Sequence, residues 1–268
     1  MTSSATPHSP LVAVEQMYFH YPRAKITAGG TGWTLQDISL SIDLKSTVGI
    51  VGESGSGKST LIRVMCGLLR HQQGSVRFNG KDITEYQGDG ANELRRQNQI
   101  VFQNPRRSLD PRMTIRRSLT EPVRALQNRT PEDDELVSSI KRVGLGPEVL
   151  SRFPHQLSGG QLQRVGIARS LSVNPTILYA DEPVSALDVS VQAQVLNLLM
   201  DLRDQMGLTL VMVSHDLGVV SRMCEDIVVM RYGHIVEAGR TSDVLSRPSS
   251  EYTATLLRAA RAASLERS

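Results

Sequence analysis

The stretch TVGIVGESGSGKSTL, residues 47–61, joins a short apolar run, a glycine-rich turn and the start of an amphipathic segment. Its centre, GESGSGKST at 52–60, fits the pattern G-x-x-x-x-G-K-[ST], in which successive backbone N–H groups curl around phosphate oxygens. The apolar run predicts a buried strand, and LIRVMCGLL predicts a helix whose N-terminus adds positive potential. The sequence therefore predicts a phosphate-binding loop between a strand and a helix.

The side chains of this loop have distinct expected tasks. The glycines permit the curled backbone, the Lys58 ammonium reaches the β- and γ-phosphates, and the Ser59 hydroxyl is a ligand for Mg²⁺. The residues predicted to contact nucleotide here are Gly52, Glu53, Ser54, Gly55, Ser56, Gly57, Lys58, Ser59 and Thr60.

The overall composition is typical of a globular protein. A formal charge of +3 on 268 residues is too small to argue for nucleic acid as a partner. Cys66 and Cys224 form no CxxC pair, which suits a reducing compartment and excludes a disulfide framework. No apolar run approaches the roughly 18 to 20 residues that cross a bilayer, so we expect any membrane association to be peripheral.

Two kinds of strand pattern predict an α/β architecture. LVAVEQMYFHYP (11–22) and LQDISLSIDL (35–44) suggest an antiparallel sheet, and the second alternates with period two. Its expected inward face consists of Ile38, Leu40, Ile42 and Leu44. Later runs are nearly continuous, as strands buried on both faces of a parallel sheet are. These runs are TVGIV (47–51), QIVF (99–102), TILYA (176–180) and LTLVMV (208–213).

A helix-rich insertion is predicted between these strands, at about residues 104–156. TPEDDELVSSIKRVG within it predicts a helix with Thr130 as N-cap, Pro131 at the first helical position and Gly144 at the end. Its acidic first turn is explained by the helix dipole without a metal site. A last amphipathic helix is predicted over EYTATLLRAARAAS, packed on the domain.

Two further motifs carry chemistry. TILYADEP ends a buried strand in Asp181, where a carboxylate partners the magnesium ion of a phosphate loop, and Glu182 is placed to accept a proton from attacking water. LSGGQLQRVGIARSL (157–171) is a second anion-binding helix start, in which Ser158 is the expected N-cap and the glycines permit close approach of a ligand.

Taken together, VGESGSGKSTL, TILYADEP and LSGGQ resemble the nucleotide-binding domains of ATP-binding cassette (ABC) transporters over nearly the whole chain. The resemblance implies a P-loop NTPase core with a mixed sheet, an antiparallel β subdomain and a helical insertion. It implies one such domain over residues 1–240, with the helical subdomain at about 104–172 and a short helical tail at 241–268. Two domains pair head to tail in this family, so that each signature serine and its glycines clamp ATP held by the other domain's phosphate loop.

The resemblance also assigns roles to individual residues. Gln103 in VFQNPRR resembles the Q-loop glutamine, SALD (185–188) the D-loop, and His215 in VSHDL the switch histidine. Tyr21 is the candidate that stacks on adenine, with nearby Phe19 as its alternative. The implied catalytic residues are Glu182, His215 and Gln103, and the implied Mg²⁺ ligands are Ser59, Gln103 and Asp181. The implied contacts to the partner's ATP are Ser158, Gly159, Gly160, Gln161 and Asp188.

Several motifs resemble the dipeptide, oligopeptide and nickel importer branch, among them FQNPRRSLDPRMT and DEPVSALDVSVQAQVLNLL. That likeness implies a peripheral ATPase at the cytoplasmic face of the cell membrane. Its expected partners are a second ABC ATPase, identical or related, two membrane-spanning permease subunits and, indirectly, an extracytoplasmic solute-binding protein. No cysteine follows Cys224, so the iron–sulfur tail of some peptide importers is not expected, and metal chelates or other small solutes stay open.

The alternative is an ABC ATPase of a non-importer system, an exporter or a regulatory ATPase. A DNA-repair ATPase is disfavoured because only about a hundred residues separate the phosphate loop from the signature, too few for its long coiled coil.

Arginines that follow Gln103 are predicted to line the groove that receives the permease's coupling helix. They are Arg106, Arg107, Arg112, Arg116 and Arg117.

Overall fold

A computed structural model describes residues 9–22, 33–185 and 187–265 of the chain. The described residues form two sheets. The smaller, antiparallel sheet has the strand order β2-β1-β4-β5. Its strands are β1 (Val12–Phe19), β2 (Leu35–Ile42), β4 (Gln73–Phe78) and β5 (Lys81–Asp82).

The larger sheet has the order β10-β9-β3-β8-β7-β6. It is parallel except for its edge strand β10, which pairs antiparallel with β9. Its strands are β3 (Thr47–Val51), β6 (Asn98–Val101), β7 (Ile177–Asp181), β8 (Thr209–Val213), β9 (Asp226–Arg231) and β10 (His234–Arg240). The predicted α/β class, with a mixed sheet and an antiparallel subdomain, is confirmed.

Helices follow or separate these strands. They are α1 (Lys58–Met65), α2 (Asp89–Gln97), α3 (Pro105–Ser108), α4 (Ile115–Gln127), α5 (Asp133–Arg142), α6 (Gly159–Leu171), α7 (Val189–Met206), α8 (Leu217–Met223), α9 (Thr241–Ser246) and α10 (Glu251–Leu265). Helices α3, α4 and α5 pack around α6 between β6 and β7, which is the predicted insertion. No helix of the described chain has both the length and the apolar character needed to cross a membrane.

The main sheet separates two apolar clusters, and this explains the continuous apolar runs. In β7, Leu178 enters the cluster shared with the helical insertion, whereas Tyr179 enters the cluster shared with the antiparallel sheet. In β8, Met212 enters the cluster shared with the helical insertion, and Val211 enters the cluster shared with the antiparallel sheet. Because neighbouring residues of one strand are buried on opposite faces, no polar alternation is left in these strands.

Burial also covers both cysteines. Cys66 closes α1 and is 4% exposed, and Cys224 follows α8 and is 6% exposed. Burial raises the pKa of each thiol to about 12. Both side chains therefore act as small apolar groups at neutral pH.

Two local predictions are wrong. Leu44 does not join the inward face of β2, because the strand ends at Ile42 and the Leu44 side chain is 56% exposed. Helix α5 begins at Asp133 with Glu132 as N-cap, and not at Pro131 after Thr130. The Glu135 carboxylate accepts a hydrogen bond from the Glu132 N–H at 3.3 Å, so the helix begins two residues later than predicted. The domain boundary at residue 240 stays a prediction.

The two ends of the LQDISLSIDL segment should differ sharply in their contribution to stability. Ile38→Ala removes a side chain with no exposed surface and should lower the free energy of unfolding by about 2–5 kcal/mol. Leu44→Ala, the matched control, should change it by less than about 0.5 kcal/mol. Urea unfolding followed by circular dichroism measures both. Equal losses of unfolding free energy in the two variants would indicate that Leu44 does pack on the inward face.

Candidate phosphate-binding and catalytic site

Four neighbouring parallel strands bring the predicted functional residues to one edge of the sheet. In the order β3-β8-β7-β6, the register pairs Ile50 with Val213, Asp181 with Val213, and Val101 with Ala180. The carboxyl ends of these strands are therefore level. The phosphate loop follows β3, His215 follows β8, Glu182 follows β7 and Gln103 follows β6. Ligands of open parallel sheets bind at this edge.

The phosphate loop is held from its outer side by the β9–β10 hairpin. Gly233 N–H donates to the Ser56 carbonyl at 3.0 Å, and the Met230 carbonyl lies so close to Gly52 that a Cβ there would overlap it. Gly52 has φ +149°, in the region that favours glycine. The first glycine of the motif is thus required both by its backbone angle and by the hairpin. Gly55, at φ +82°, faces open space.

Lys58 is folded back onto its own loop. Its Nζ donates to the carbonyls of Gly52 and Glu53 at 2.8 and 2.7 Å, and the residue is 5% exposed. Burial lowers the pKa of the ammonium, and the negative charges of Glu182, Asp181 and Glu53 oppose that shift. A buried cation at the mouth of a curled loop is chemically suited to a polyanion.

Ser59 and Asp181 form the pair expected for a metal. Ser59 Oγ donates to Asp181 Oδ1 at 2.7 Å, and Asp181 is 4% exposed. Burial raises the pKa of this carboxyl, opposed by the Ser59 hydrogen bond and by the charge of Arg63, 3.9 Å away. The described residues contain no cluster of three or more His, Cys, Asp or Glu able to hold a metal alone. One hydroxyl and one carboxylate fit Mg²⁺ in its nucleotide-bound form, in which phosphates and water complete the shell.

Glu182 lies between the two other predicted catalytic residues. Gln103 Nε2 donates to Glu182 Oε2 at 2.9 Å, and His215 Nδ1 lies 3.6 Å from the same oxygen. Glu182 has φ +46°, uncommon for a residue with a side chain, and its N–H donates to the Val213 carbonyl at 3.0 Å. Strain of this kind is maintained where the surroundings fix a functional group. The Glu182 carboxylate is also close enough to Lys58 for its charge to act on the pKa of that ammonium.

The two aromatic candidates for adenine stacking differ in exposure. Phe19 is 3% exposed in the core, whereas Tyr21 is 36% exposed and its ring meets that of Phe19 edge to face at 4.9 Å. Tyr21 Oη lies 3.3 Å from Thr60 Oγ1, beside the phosphate loop. A buried ring offers no face to a ligand, so the geometry favours Tyr21 over its alternative.

The signature segment has the predicted helix start. Ser158 Oγ accepts from Gln161 N–H at 3.3 Å, and Gln161 Oε1 accepts from Ser158 N–H at 3.0 Å, a reciprocal cap. A Cβ at Gly160 would lie 2.6 Å from Val191 Cγ1, so the helix start packs tightly on α7, which begins after Asp188. Within the described ranges, no hydrogen bond or ion pair joins this segment to the phosphate loop. Ala186 of the predicted D-loop lies outside the described residues.

One contact to the site has no signal in the sequence. Tyr252 of α10 accepts a hydrogen bond from the Glu53 N–H at 3.2 Å. The segment EYTATLL predicts only an amphipathic helix packed on the domain. No periodicity in the sequence distinguishes a tyrosine that reaches a loop from one that fills a core.

Comparisons with known proteins agree with this geometry. The family model described as ABC transporter matches residues 35–185. Oligopeptide transport ATP-binding protein OppF of Salmonella typhimurium is 44% identical over 225 residues, which are 83% of this chain and 67% of OppF.

Two solved structures are also similar. CbiO1 of Clostridium perfringens, part of the ABC transporter complex cbiONQ, has a TM-score of 0.76 at 28% identity and covers 89% of this chain and 91% of its own. The ATP-binding cassette MJ0796, in a dimeric post-hydrolysis state bound to ADP and Pi, has a TM-score of 0.75 at 28% identity, over 86% of this chain and 98% of its own.

The chain belongs to the ABC transporter family. Its fold is that of an ABC nucleotide-binding domain, and its activity is that of an ATP-binding and ATP-hydrolysing transport subunit.

Replacing Lys58 tests the phosphate loop. Lys58→Ala removes the cation aimed at the β- and γ-phosphates and should weaken ATP binding by about 10- to 100-fold, the range for charged hydrogen bonds. Lys141→Ala, an exposed lysine in the last turn of α5, is the control and should bind ATP as the wild type does. Equilibrium titration with a fluorescent ATP analogue measures both. Wild-type affinity in Lys58→Ala would contradict the assignment.

Proposed function

We propose that this protein hydrolyses ATP at two sites shared between paired ATPase subunits. Residues 52–60 of one subunit hold the nucleotide, and Ser158, Gly159, Gly160 and Gln161 of the other contact its γ-phosphate. Asp188 lies at the seam. The observation that carries the proposal is the position of Glu182, held by Gln103 and His215 at the edge where the phosphate loop opens. The similar cassette solved as a dimer with ADP and Pi supports the pairing.

The chain's own groups divide the reaction among them. Lys58 and the loop amides bind the phosphates, and Tyr21 receives the adenine. Ser59, Asp181 and Gln103 are proposed to hold Mg²⁺, which would neutralise charge on the β- and γ-phosphates. Glu182 accepts a proton from the attacking water, while Gln103 and His215 orient the carboxylate. Hydrolysis then needs positioning and charge stabilisation, with no covalent intermediate.

Glu182→Gln separates binding from turnover. The amide keeps the shape of the side chain but takes no proton, so hydrolysis should fall by about 10²- to 10⁴-fold while ATP affinity is retained. The variant should also accumulate as a closed dimer with ATP, measured by size-exclusion chromatography with light scattering. Glu85→Gln, an exposed glutamate, is the control. Undiminished hydrolysis in Glu182→Gln would refute its role as the base.

We further propose that the ATPase drives uptake of peptides, nickel or metal chelates, or related small solutes. Its relative OppF is named as an oligopeptide transport protein, and this supports the peptide class. Two permease subunits and an extracytoplasmic solute-binding protein complete the proposed importer, with this chain at the cytoplasmic face of the membrane. An exporter or a regulatory ATPase is the alternative. Stimulation of ATPase activity by a solute-loaded binding protein in the reconstituted complex favours import, whereas stimulation by solute on the ATPase side favours export.

A groove beside the Q-loop is the proposed docking site for the permease. Its volume is about 290 Å³, and it lies between α4 and the start of β6. Leu68, Phe102, Pro122 and Leu126 give it an apolar lining, and Leu68 is 53% exposed. None of Arg106, Arg112, Arg116 and Arg117 lines this cavity, and Arg117 lines a separate one beyond α4. The contact of these arginines with a coupling helix stays a prediction. The proposed contact is therefore largely apolar, with Arg95, Glu121 and Arg169 as charged residues of the lining.

Leu68→Asp should weaken assembly without harming the ATPase itself. A carboxylate at this position must lose water when the apolar interface forms, so recovery of the protein with its permease subunits in the membrane fraction should fall severalfold. Leu44→Asp, an equally exposed leucine outside the groove, is the control and should assemble normally. Membrane recovery equal to wild type for Leu68→Asp would contradict the docking site. The ATPase activity of the purified subunit should be unchanged in both variants.

A further inference from the structure

The C-terminal helix contacts the phosphate loop directly. Tyr252, 199 residues after Glu53 in the chain, accepts the Glu53 N–H at 3.2 Å with its phenol oxygen. The residue is 9% exposed, and its ring belongs to the same apolar cluster as Leu257 of α10. We propose that Tyr252 is a positioning residue, which holds the first turn of the phosphate loop in its nucleotide-binding conformation.

The position of the Tyr252 ring is fixed by a cation. The parallel pairing of β3 with β9 places Val51 opposite Val229, so Arg231 emerges beside the start of the phosphate loop. The Arg231 guanidinium lies 4.6 Å from the centroid of the Tyr252 ring and 4.9 Å from that of Tyr232. A guanidinium over a ring face is attracted by the ring quadrupole. Arg231 thus links the hairpin that abuts the loop to the helix that holds it.

Glu237 of β10 anchors the two residues that precede α10. The Glu237 carboxylate accepts from Ser249 N–H at 2.7 Å, from Ser249 Oγ at 2.8 Å and from Ser250 N–H at 3.1 Å. Three hydrogen bonds to one carboxylate order the residues just before the helix. The backbone that leads into Tyr252 is therefore held by these hydrogen bonds, which positions the tyrosine beside Glu53.

The contact acts on the residue that Lys58 also holds. The Glu53 N–H is bound by Tyr252, and the Glu53 carbonyl receives Lys58 Nζ at 2.7 Å. The Lys58 ammonium has three N–H donors and gives two of them to loop carbonyls, so a further donor is left for a phosphate while the Glu53 backbone stays held. The Tyr252 hydroxyl and the Lys58 ammonium therefore hold the backbone of Glu53 from its two polar groups, the N–H and the carbonyl. This inference depends on the proposed role of residues 52–60.

The experiment removes one oxygen atom. Tyr252→Phe keeps the ring and its contact with Arg231 but leaves the Glu53 N–H without its acceptor. The KM for ATP and the dissociation constant of a fluorescent ATP analogue should rise by about 3- to 10-fold, the range for one neutral hydrogen bond. The kcat at saturating ATP should not change, because Glu182 and its partners are untouched. Tyr232→Phe is the matched control: its ring lies on the same arginine, it is 71% exposed, and its KM should equal that of the wild type.

A second measurement reads the loop itself. In hydrogen–deuterium exchange without nucleotide, the peptide that contains Glu53 should exchange faster in Tyr252→Phe than in the wild type or in Tyr232→Phe. If Tyr252→Phe changes neither the KM for ATP nor the exchange rate, the positioning role is overturned. A lower melting temperature with an unchanged KM would also overturn it, because Tyr252 would then contribute to stability only. If Lys58→Ala loses ATP binding while Tyr252→Phe has the KM and the exchange rate of the wild type, this inference is overturned and the proposed function stays intact.

Discussion

The structure depends on the level carboxyl ends of four adjacent parallel strands. Register fixes β3, β8, β7 and β6 against one another, so the loops that follow them emerge side by side. Residues as distant in the chain as Gln103 and Glu182 then meet at hydrogen-bonding distance. Burial of both faces of these strands holds the register, because a slip by one residue would exchange the two apolar clusters. Packing in the sheet interior is thus what makes the chemistry at its edge possible.

Three charged side chains at this edge have partners within the chain. Lys58 is bound by loop carbonyls, Asp181 by Ser59, and Glu182 by Gln103. Binding of nucleotide therefore exchanges some of these internal hydrogen bonds for new ones, and the net gain is smaller than the sum of the new contacts. These internal partners also keep the buried charges paired before nucleotide binds, because an unpaired buried charge would be costly.

Most of the fold and much of the candidate site could be predicted from the sequence because their signals are local. Continuous apolar runs marked the buried strands, and the glycine pattern marked the loop after β3. Predictions were wrong where a neighbour decided the outcome. Leu44 continues an alternating pattern, but the strand stops before it, and α5 starts late because Glu135 caps the Glu132 amide. The contact between Tyr252 and Glu53 joins residues 199 apart, and no local pattern reports such a pairing.

The buried cysteines have a practical consequence for studying motion in this protein. With both native thiols shielded and their pKa raised to about 12, maleimide and methanethiosulfonate reagents meet no reactive thiolate on the native surface. A single cysteine introduced at an exposed position can then carry a spin label or a fluorophore in the otherwise unaltered chain. Distances between two labelled subunits would show whether the proposed pair approaches and separates during each round of ATP turnover.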